Sequence, residues 1–358
     1  MGKIFKNFNW LIFLPILFLA GLSLILILST ASQLFSSQLL FFSVGIVLFF
    51  LLSILDFEGF LKNFVVLLYI LSILFLGLSF LGPEVRGSHR WINFFGFRIQ
   101  PSELVKPFFI ASFAQIIAIF PPRKPRAFFL NLFLILVPFL LIFKQPDLGG
   151  AILYSGTWLI MMLTAGLNPV YIFSSLVFGS LATPMFWFFL KDYQKLRILS
   201  FLNPQQYSQT ASYHSIQTKI AVGSGQFLGK GLGQGTQSHL KFLPEFHTDF
   251  IFASLCEELG LLGGVLVLIC YFILLLQILR VALNNKHLFP VLFSVGVFTQ
   301  LLLQIFINVG MNLGLVPITG ITLPLLSYGG SSIISTLMAL GITSSLKKRK
   351  RSKMLVIN

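Results

Sequence analysis

Apolar runs of about twenty residues, divided by short polar breaks, recur along almost the whole chain. A run of that length, wound as a helix, crosses the roughly 30 Å hydrocarbon core of a bilayer. The pattern predicts spans at approximately 10–29, 38–55, 63–82, 103–120, 127–143, 149–165, 169–190, 249–279, 288–310 and 324–346. Two polar stretches, 83–102 and 191–248, are much longer than the other breaks. The second is too long for a plain connection. It opens with KDYQKLRILSFLNP, amphipathic enough to lie along the membrane surface, and ends in a Gly-rich run.

The basic residues orient this pattern. With the N-terminus in the cytoplasm, the inside receives Lys3, Lys6, Lys62, Arg123, Lys124, Arg126, Arg280, Lys286 and the tail KKRKRSK at 347–353. The short outer connection 30–37 carries no charge, as the positive-inside rule requires. An even number of spans returns the C-terminus to the cytoplasm. Arg86, Arg90, Arg98, Lys106 and Lys144 break the rule by standing on the outer side near helix ends, and an anionic ligand is one reason to keep them there. The expected fold is therefore an all-α polytopic membrane protein of about ten transmembrane helices. It carries a large extracytoplasmic loop, 191–248, between spans 7 and 8. Residues 1–358 read as a single transmembrane domain with a basic cytoplasmic tail at 347–358.

Composition agrees: mean hydropathy is +0.91, with 56% hydrophobic and only 10% charged residues, far from a soluble profile. The net charge of +15 comes from the same basic anchors. The tail KKRKR after a last span reads as a topology anchor touching anionic lipid, which sets nucleic acid aside as a partner. Residues 1–31 resemble a signal peptide, but the apolar run is long and its removal would upset the charge pattern, so a retained first helix is expected. Cys256 and Cys270 share one span about 21 Å apart along its axis, too far for a disulfide.

Candidate chemistry gathers in four segments. Arg90-Trp91 suits a membrane interface as an aromatic anchor beside a snorkelling Arg, and equally suits an Arg presented to a phosphate. QPSELVK at 100–106 starts the fourth span: Glu103 and Lys106 share a face, either as a helix-start ion pair or as intramembrane functional groups. In KQPDLGG at 144–150, Asp147 is an N-cap or a partner of Lys106 or Arg90. FLPEFHTDF at 242–250 carries Glu245 and Asp249. A helix through both would align two like charges and push one carboxyl upward. Thr248 or Asp249 could alternatively cap the eighth span. His247 has no metal-spaced partner and reads as structural or as support for a neighbour. Downstream, the Pro- and Gly-broken segment 308–332 offers Ser327, Tyr328 and Ser331 either as site lining or as part of a re-entrant turn. The run GKGLGQGTQ lacks the third glycine and the strand of a nucleotide-binding G-x-G-x-x-G.

Arg90-Trp91 ahead of QPSELVK, then KQPDLGG, FLPEFHTDFIFASLCEELG and the segment ending SYGGSS together resemble the SEDS family (shape, elongation, division and sporulation), over roughly residues 85–335. GKGLGQGTQS followed by FLPEFHTDFIFA is more similar to the elongation branch, while GLVPITGITLPLLSYGGSS resembles both the elongation and division branches. The resemblance implies a peptidoglycan glycosyltransferase in the bacterial cytoplasmic membrane. It would polymerise lipid II into β-1,4 glycan strands at the outer face. The family's essential aspartate maps to Asp249, its tryptophan to Trp91, and the Glu and Lys of its QPSE motif to Glu103 and Lys106. On this reading Asp249 is the base or orients the acceptor hydroxyl, and Arg90 and Lys106 bind the donor's diphosphate. Glu103 and Asp147 hold those cations, or join Asp249 around a divalent cation, Mg or Mn. Gln100, Ser102, Glu245 and Ser327 complete the expected substrate-binding set. The expected partners are lipid II, a class B penicillin-binding protein and other elongation-complex membrane proteins. A division-type polymerase and a lipid II flippase are the alternatives. A flippase calls for ionisable groups near mid-membrane, where these span centres are almost free of charge.

Overall fold

The computed structural model describes residues 9–55, 57–84, 88–94, 96–203, 205–207, 213–240, 242–243 and 245–346. Lys3, Lys6, Arg86 and the basic tail at 347–358, all used above to orient the chain, lie outside the described residues.

Long helices follow the apolar runs. They are α1 (Trp10–Thr30), α2 (Phe35–Ile54) and α3 (Phe57–Leu78). A hairpin, β1 (Ile92–Phe94) and β2 (Phe97–Ile99), then precedes a single turn, α4 (Pro101–Leu104), and α5 (Lys106–Ile119). Next come α6 (Pro125–Lys144), α7 (Leu148–Thr164) and α8 (Pro169–Phe189). Three shorter helices follow: α9 (Asp192–Leu202), α10 (Tyr213–Ser224) and α11 (Thr236–His239). The chain closes with α12 (Ile251–Leu283), α13 (Leu288–Leu313) and α14 (Gly330–Ser345). Among the described residues six stretches are long and apolar enough to cross a membrane by length and composition, and α5 and α7 are shorter apolar helices. Large apolar side chains remain exposed all along these helices, as befits a lipid-facing surface.

Lipid is as apolar as leucine, so these helices are held by close packing rather than by a hydrophobic drive. The contact of α2 with α14 illustrates it. A Cβ on Gly45 would meet Leu337 Cδ1 at 2.4 Å, and one on Gly341 would meet the Phe49 carbonyl oxygen at 2.7 Å. Glycine lets the two backbones touch. Helix α12 packs on α1 and α13, and α13 also packs on α5 and α7.

Three departures from the sequence pattern matter for the site. The hairpin was not expected, because 83–102 shows no apolar periodicity; Gly96 makes its turn at φ +82°. The fourth and tenth spans start late. Val105 interrupts the fourth, so Lys106 opens α5, and 315–329 stays irregular ahead of α14. The expected surface helix in 191–248 is present as α9, and α10 and α11 are additional.

Helix α12 is also interrupted, at Gly260 (φ 68°, ψ −167°). The glycine-rich loop fills the break. Lys230 N–H donates to the Glu257 carbonyl (3.0 Å) and Gly231 N–H to that of Glu258 (3.0 Å). Leu261 and Leu262 N–H donate to the carbonyls of Gln226 (2.9 Å) and Phe227 (3.2 Å). These are the groups that two missing helical bonds would have paired, so loop backbone satisfies them where water is scarce.

Candidate active site

The polar loops collect at one end of the bundle, and the turn Gln145–Asp147 is their meeting point. The Pro146 carbonyl is shared by three donors. That oxygen accepts from an Arg90 guanidinium N–H, from Tyr193 Oη (3.0 Å) and from Gln194 Nε2 (3.4 Å). Arg90 Nε donates to the Gln145 carbonyl (2.9 Å), and its third nitrogen faces Asp147 Oδ1 at 3.7 Å. Asp147 Oδ1 also accepts from Gly150 N–H (3.0 Å), capping α7. The open question about Asp147 is thus resolved: it is both the N-cap and the partner of Arg90. Arg90 points all three guanidinium nitrogens at 145–147, which makes it a clamp on this turn. Trp91 is half-buried, and its carbonyl backs onto Gly82, where a Cβ would stand 2.1 Å from it.

Segment 100–106 lies beside this turn. Gln100 N–H donates to Ser331 Oγ (2.9 Å); its side-chain amide reaches Ser102 Oγ (3.1 Å) and, more distantly, Asp147 Oδ2 (3.5 Å). Ser102 is buried, and its carbonyl accepts from Tyr154 Oη at 2.6 Å. Lys106 Nζ donates to Glu103 Oε1 at 2.5 Å, with the lysine side chain only 3% exposed. The second oxygen, Glu103 Oε2, is buried and has no hydrogen-bond partner among the described residues. Lys106 also lines a small crevice, with room for about one water molecule, together with Pro107, Gln300, Ser335 and Thr336.

Asp249 stands in the turn before α12. Glu245 adopts φ 51°, and its carbonyl accepts from Thr248 N–H (3.1 Å) and Phe250 N–H (3.2 Å). A continuous helix through Glu245 and Asp249, and hence the aligned like charges, is absent. Neither Thr248 nor Asp249 caps α12, whose N-cap position is Phe250; the Thr248 hydroxyl lies against Glu245 instead. Ser327 pins the turn. Its hydroxyl donates to the Thr248 carbonyl (2.6 Å) and accepts from Leu323 N–H (2.8 Å), so this buried side chain acts on the loop. His247 is similarly held, its carbonyl accepting from Tyr328 N–H (2.8 Å) and its ring packed edge-on against Tyr328. Burial pushes the His247 imidazole below its ordinary value, and Glu245 partly opposes that.

Two asparagines that sequence reading passed over complete the mount. Asn308 Nδ2 and Asn312 Nδ2 both donate to the Asp249 carbonyl, at 3.0 and 3.1 Å. Asn308 also reaches the Ile321 carbonyl (2.7 Å). The signal was available: two amides one turn apart on an otherwise apolar helix share a face and need partners. Asp249 Oδ2 comes within 3.5 Å of where a Cβ on Gly320 would lie, so the glycine leaves room beside the carboxylate. Arg197 of α9, exposed at this end of the bundle, lies close enough to Asp249, Arg90 and Asp147 to interact with their charges.

The proposed metal ligands do not fit together. Asp147 is engaged by Arg90 and Gly150, Glu103 by Lys106, and among the described residues no group of three His, Cys, Asp or Glu could hold an ion. The other two acids of the motif serve the broken helix. Glu257, fully buried, accepts from Lys230 Nζ (3.1 Å), Gln237 N–H (2.9 Å) and Ser238 N–H (3.3 Å). Glu258, also fully buried, meets Ser29 Oγ (2.8 Å) and the His239 ring (3.0 Å).

Comparison with known proteins carries the same arrangement into a family. The profile of the FtsW, RodA and SpoVE proteins, described as cell cycle protein, matches residues 3–352. The peptidoglycan glycosyltransferase MrdB of Escherichia coli K12 is 39% identical over 289 residues, 79% of this chain and 78% of that protein. A solved peptidoglycan synthase complex, described as coordinating polymerisation and crosslinking, contains a chain that superposes with a TM-score of 0.81 at 29% identity, covering 95% of this chain and 97% of that one. The rod shape determining protein RodA of Thermus thermophilus gives a TM-score of 0.72 at 27% identity, covering 95% and 96%. This multi-pass membrane protein, with its four motifs around one loop-built end, belongs to the SEDS family of FtsW, RodA and SpoVE proteins.

Proposed function

We propose that this chain is a RodA-like peptidoglycan glycosyltransferase that polymerises lipid II at the outer face of the cytoplasmic membrane, with Asp249 as its base. The relatives named peptidoglycan glycosyltransferase support the activity. The observation that carries the residue is the mounting of Asp249: two buried amides and Ser327 hold its turn at the end of the bundle where Arg90, Lys106 and Arg197 gather.

Joining an α-linked sugar diphosphate into a β-1,4 chain requires inversion in one displacement. The acceptor O4 forms a bond to the donor C1. The C1–O bond to the diphosphate breaks with its electron pair, and the hydroxyl proton passes to Asp249. A positioned base of this kind contributes about 10²–10⁴-fold. Lys106 supplies positive charge deeper in the site, with Glu103 setting its position. Gln100, Ser102 and Asp147 hold the walls through the bonds described above.

Both termini are cytoplasmic on this reading, and loop 191–248 is external. A class B penicillin-binding protein crosslinks the strands made here; the coordination of polymerisation and crosslinking in the similar complex supports that pairing. The test is purified protein in liposomes with lipid II, scored separately for glycan and for transbilayer movement. Asp249→Ala is expected to lose glycan by at least about 10²-fold while still binding lipid II. Near-normal polymerisation by that variant would remove Asp249 from the role. Transbilayer movement without glycan in the wild type would favour the flippase reading instead.

A further inference from the structure

We propose that Arg197, on the surface helix α9, is the guanidinium that grips the diphosphate of the lipid-linked donor opposite Asp249. The inference rests on the reading of the site as a polymerase of a diphosphate-linked sugar and adds a residue to it.

Helix α9 is fixed across the end of the bundle. Tyr193 and Gln194, in its first turn, both donate to the Pro146 carbonyl, and Gln194 is buried. Arg197 follows Tyr193 by four residues, one helical turn, so both face the same way. The guanidinium carbon stands 5.6 Å from the centre of the Tyr193 ring, which holds the long side chain by a cation–π contact. From there it feels Asp249, Arg90 and Asp147, each contributed by a different loop, and His214 of α10 feels Arg197 in turn. Tyr193 and Arg90 share the Pro146 carbonyl, so the Arg197 guanidinium stacked on Tyr193 stands beside the 145–147 turn, within electrostatic range of Asp249.

The state of the cations decides which of them is open to a ligand. Arg90 is occupied by the Gln145 and Pro146 carbonyls and Asp147. Lys106 is buried against Glu103. Arg197 is exposed, and among the described residues its guanidinium makes no hydrogen bond or ion pair. A planar fork of donors, backed by an aromatic ring and otherwise unengaged, suits bidentate contact with phosphate oxygens. On this proposal it would draw the leaving group to the side of the sugar opposite the attacking hydroxyl. That is the geometry an inverting displacement requires.

The experiment uses full-length protein in liposomes with lipid II. It compares the wild type with Arg197→Ala, Arg197→Lys and Lys195→Ala, the last a cation on the same helix. Arg197→Ala is expected to lose about 10–100-fold in kcat/KM, and Arg197→Lys less. Millimolar guanidinium chloride should restore part of the Arg197→Ala rate where sodium chloride of equal ionic strength does not. Lys195→Ala should stay within about twofold of wild type. In parallel, inorganic diphosphate and undecaprenyl diphosphate should raise the melting temperature of the wild type but not of Arg197→Ala. Equal protection of both proteins by the diphosphates overturns the inference, as does an equal loss of rate in Lys195→Ala. Protection confined to the wild type, in a protein that makes no glycan, would leave the Arg197 contact standing while the polymerase reading falls.

Discussion

At the scale of single residues, the site is built from side chains committed to one another. Lys106 and Glu103 show the energetic consequence. Removing one partner of a buried pair leaves an uncompensated charge, which costs about 3–5 kcal/mol. Lys106→Met alone should therefore lower thermal stability in detergent sharply. The double variant Lys106→Met/Glu103→Gln should lose clearly less than the sum of the two single changes, and strict additivity would show that the pair is not coupled. His247 brings a pH dependence. Its imidazole titrates below the ordinary 6.5 because burial disfavours the charged ring, so the unfolded chain takes up a proton first as pH falls. Its contribution to stability is full above about pH 6.5 and is lost as pH falls through the folded-state value. Melting curves between about pH 8 and 5 should show that loss, and His247→Gln should flatten it; an unchanged profile would refute the assignment. At this scale the sequence disclosed residue identity well. Asp249, Lys106 and Glu103 stood out as charges at the rim of apolar helices. The commitment of Arg90 to 145–147 did not, because its hydrogen-bond acceptors are main-chain carbonyls 55 and 56 positions further along the chain.

At the scale of elements, the interrupted helix α12 and its glycine loop form one unit. Gly260 and Gly229 both lie at positive φ and back onto each other: a Cβ on Gly260 would stand 2.3 Å from Gly229 N, and one on Gly229 would stand 2.2 Å from the Glu258 carbonyl oxygen. Gly233 also has positive φ, +78°, but open space around it. Gly233→Ala should therefore cost only the backbone strain, about 1–2 kcal/mol. Gly260→Ala should cost distinctly more, because backbone atoms rather than flexible side chains must move. Thermal unfolding of the two variants in detergent tests this order, and equal costs would contradict it. The same unit anchors two of the motif's acids, since Glu257 and Glu258 accept from loop 230–239 and from Ser29 of α1. Sequence pattern saw one apolar run here. A periodicity of 3.6 is blind to a single residue at φ 68°, and the partners of the freed backbone groups lie some thirty residues upstream.

At the scale of the whole molecule, the proposed orientation makes a labelling prediction. Both native cysteines are buried, so background is low. Leu232→Cys, on the exposed glycine loop, should react with a membrane-impermeant maleimide in intact cells. Lys286→Cys, between α12 and α13, should react only after lysis. The opposite pattern would invert the topology and take Asp249 off the outer face. The sequence by itself determined the membrane class, the positions of the long helices and the segments in which chemistry gathers. Those follow from local composition, since about twenty apolar residues in water have nowhere else to go. Only the tertiary structure decided which cations are already spent, that Asn308 and Asn312 carry the Asp249 turn, and that Arg197 is stacked on Tyr193 within range of the Asp249 charge. Each of these depends on groups far apart in the chain meeting where water is scarce, and there every donor must find an acceptor.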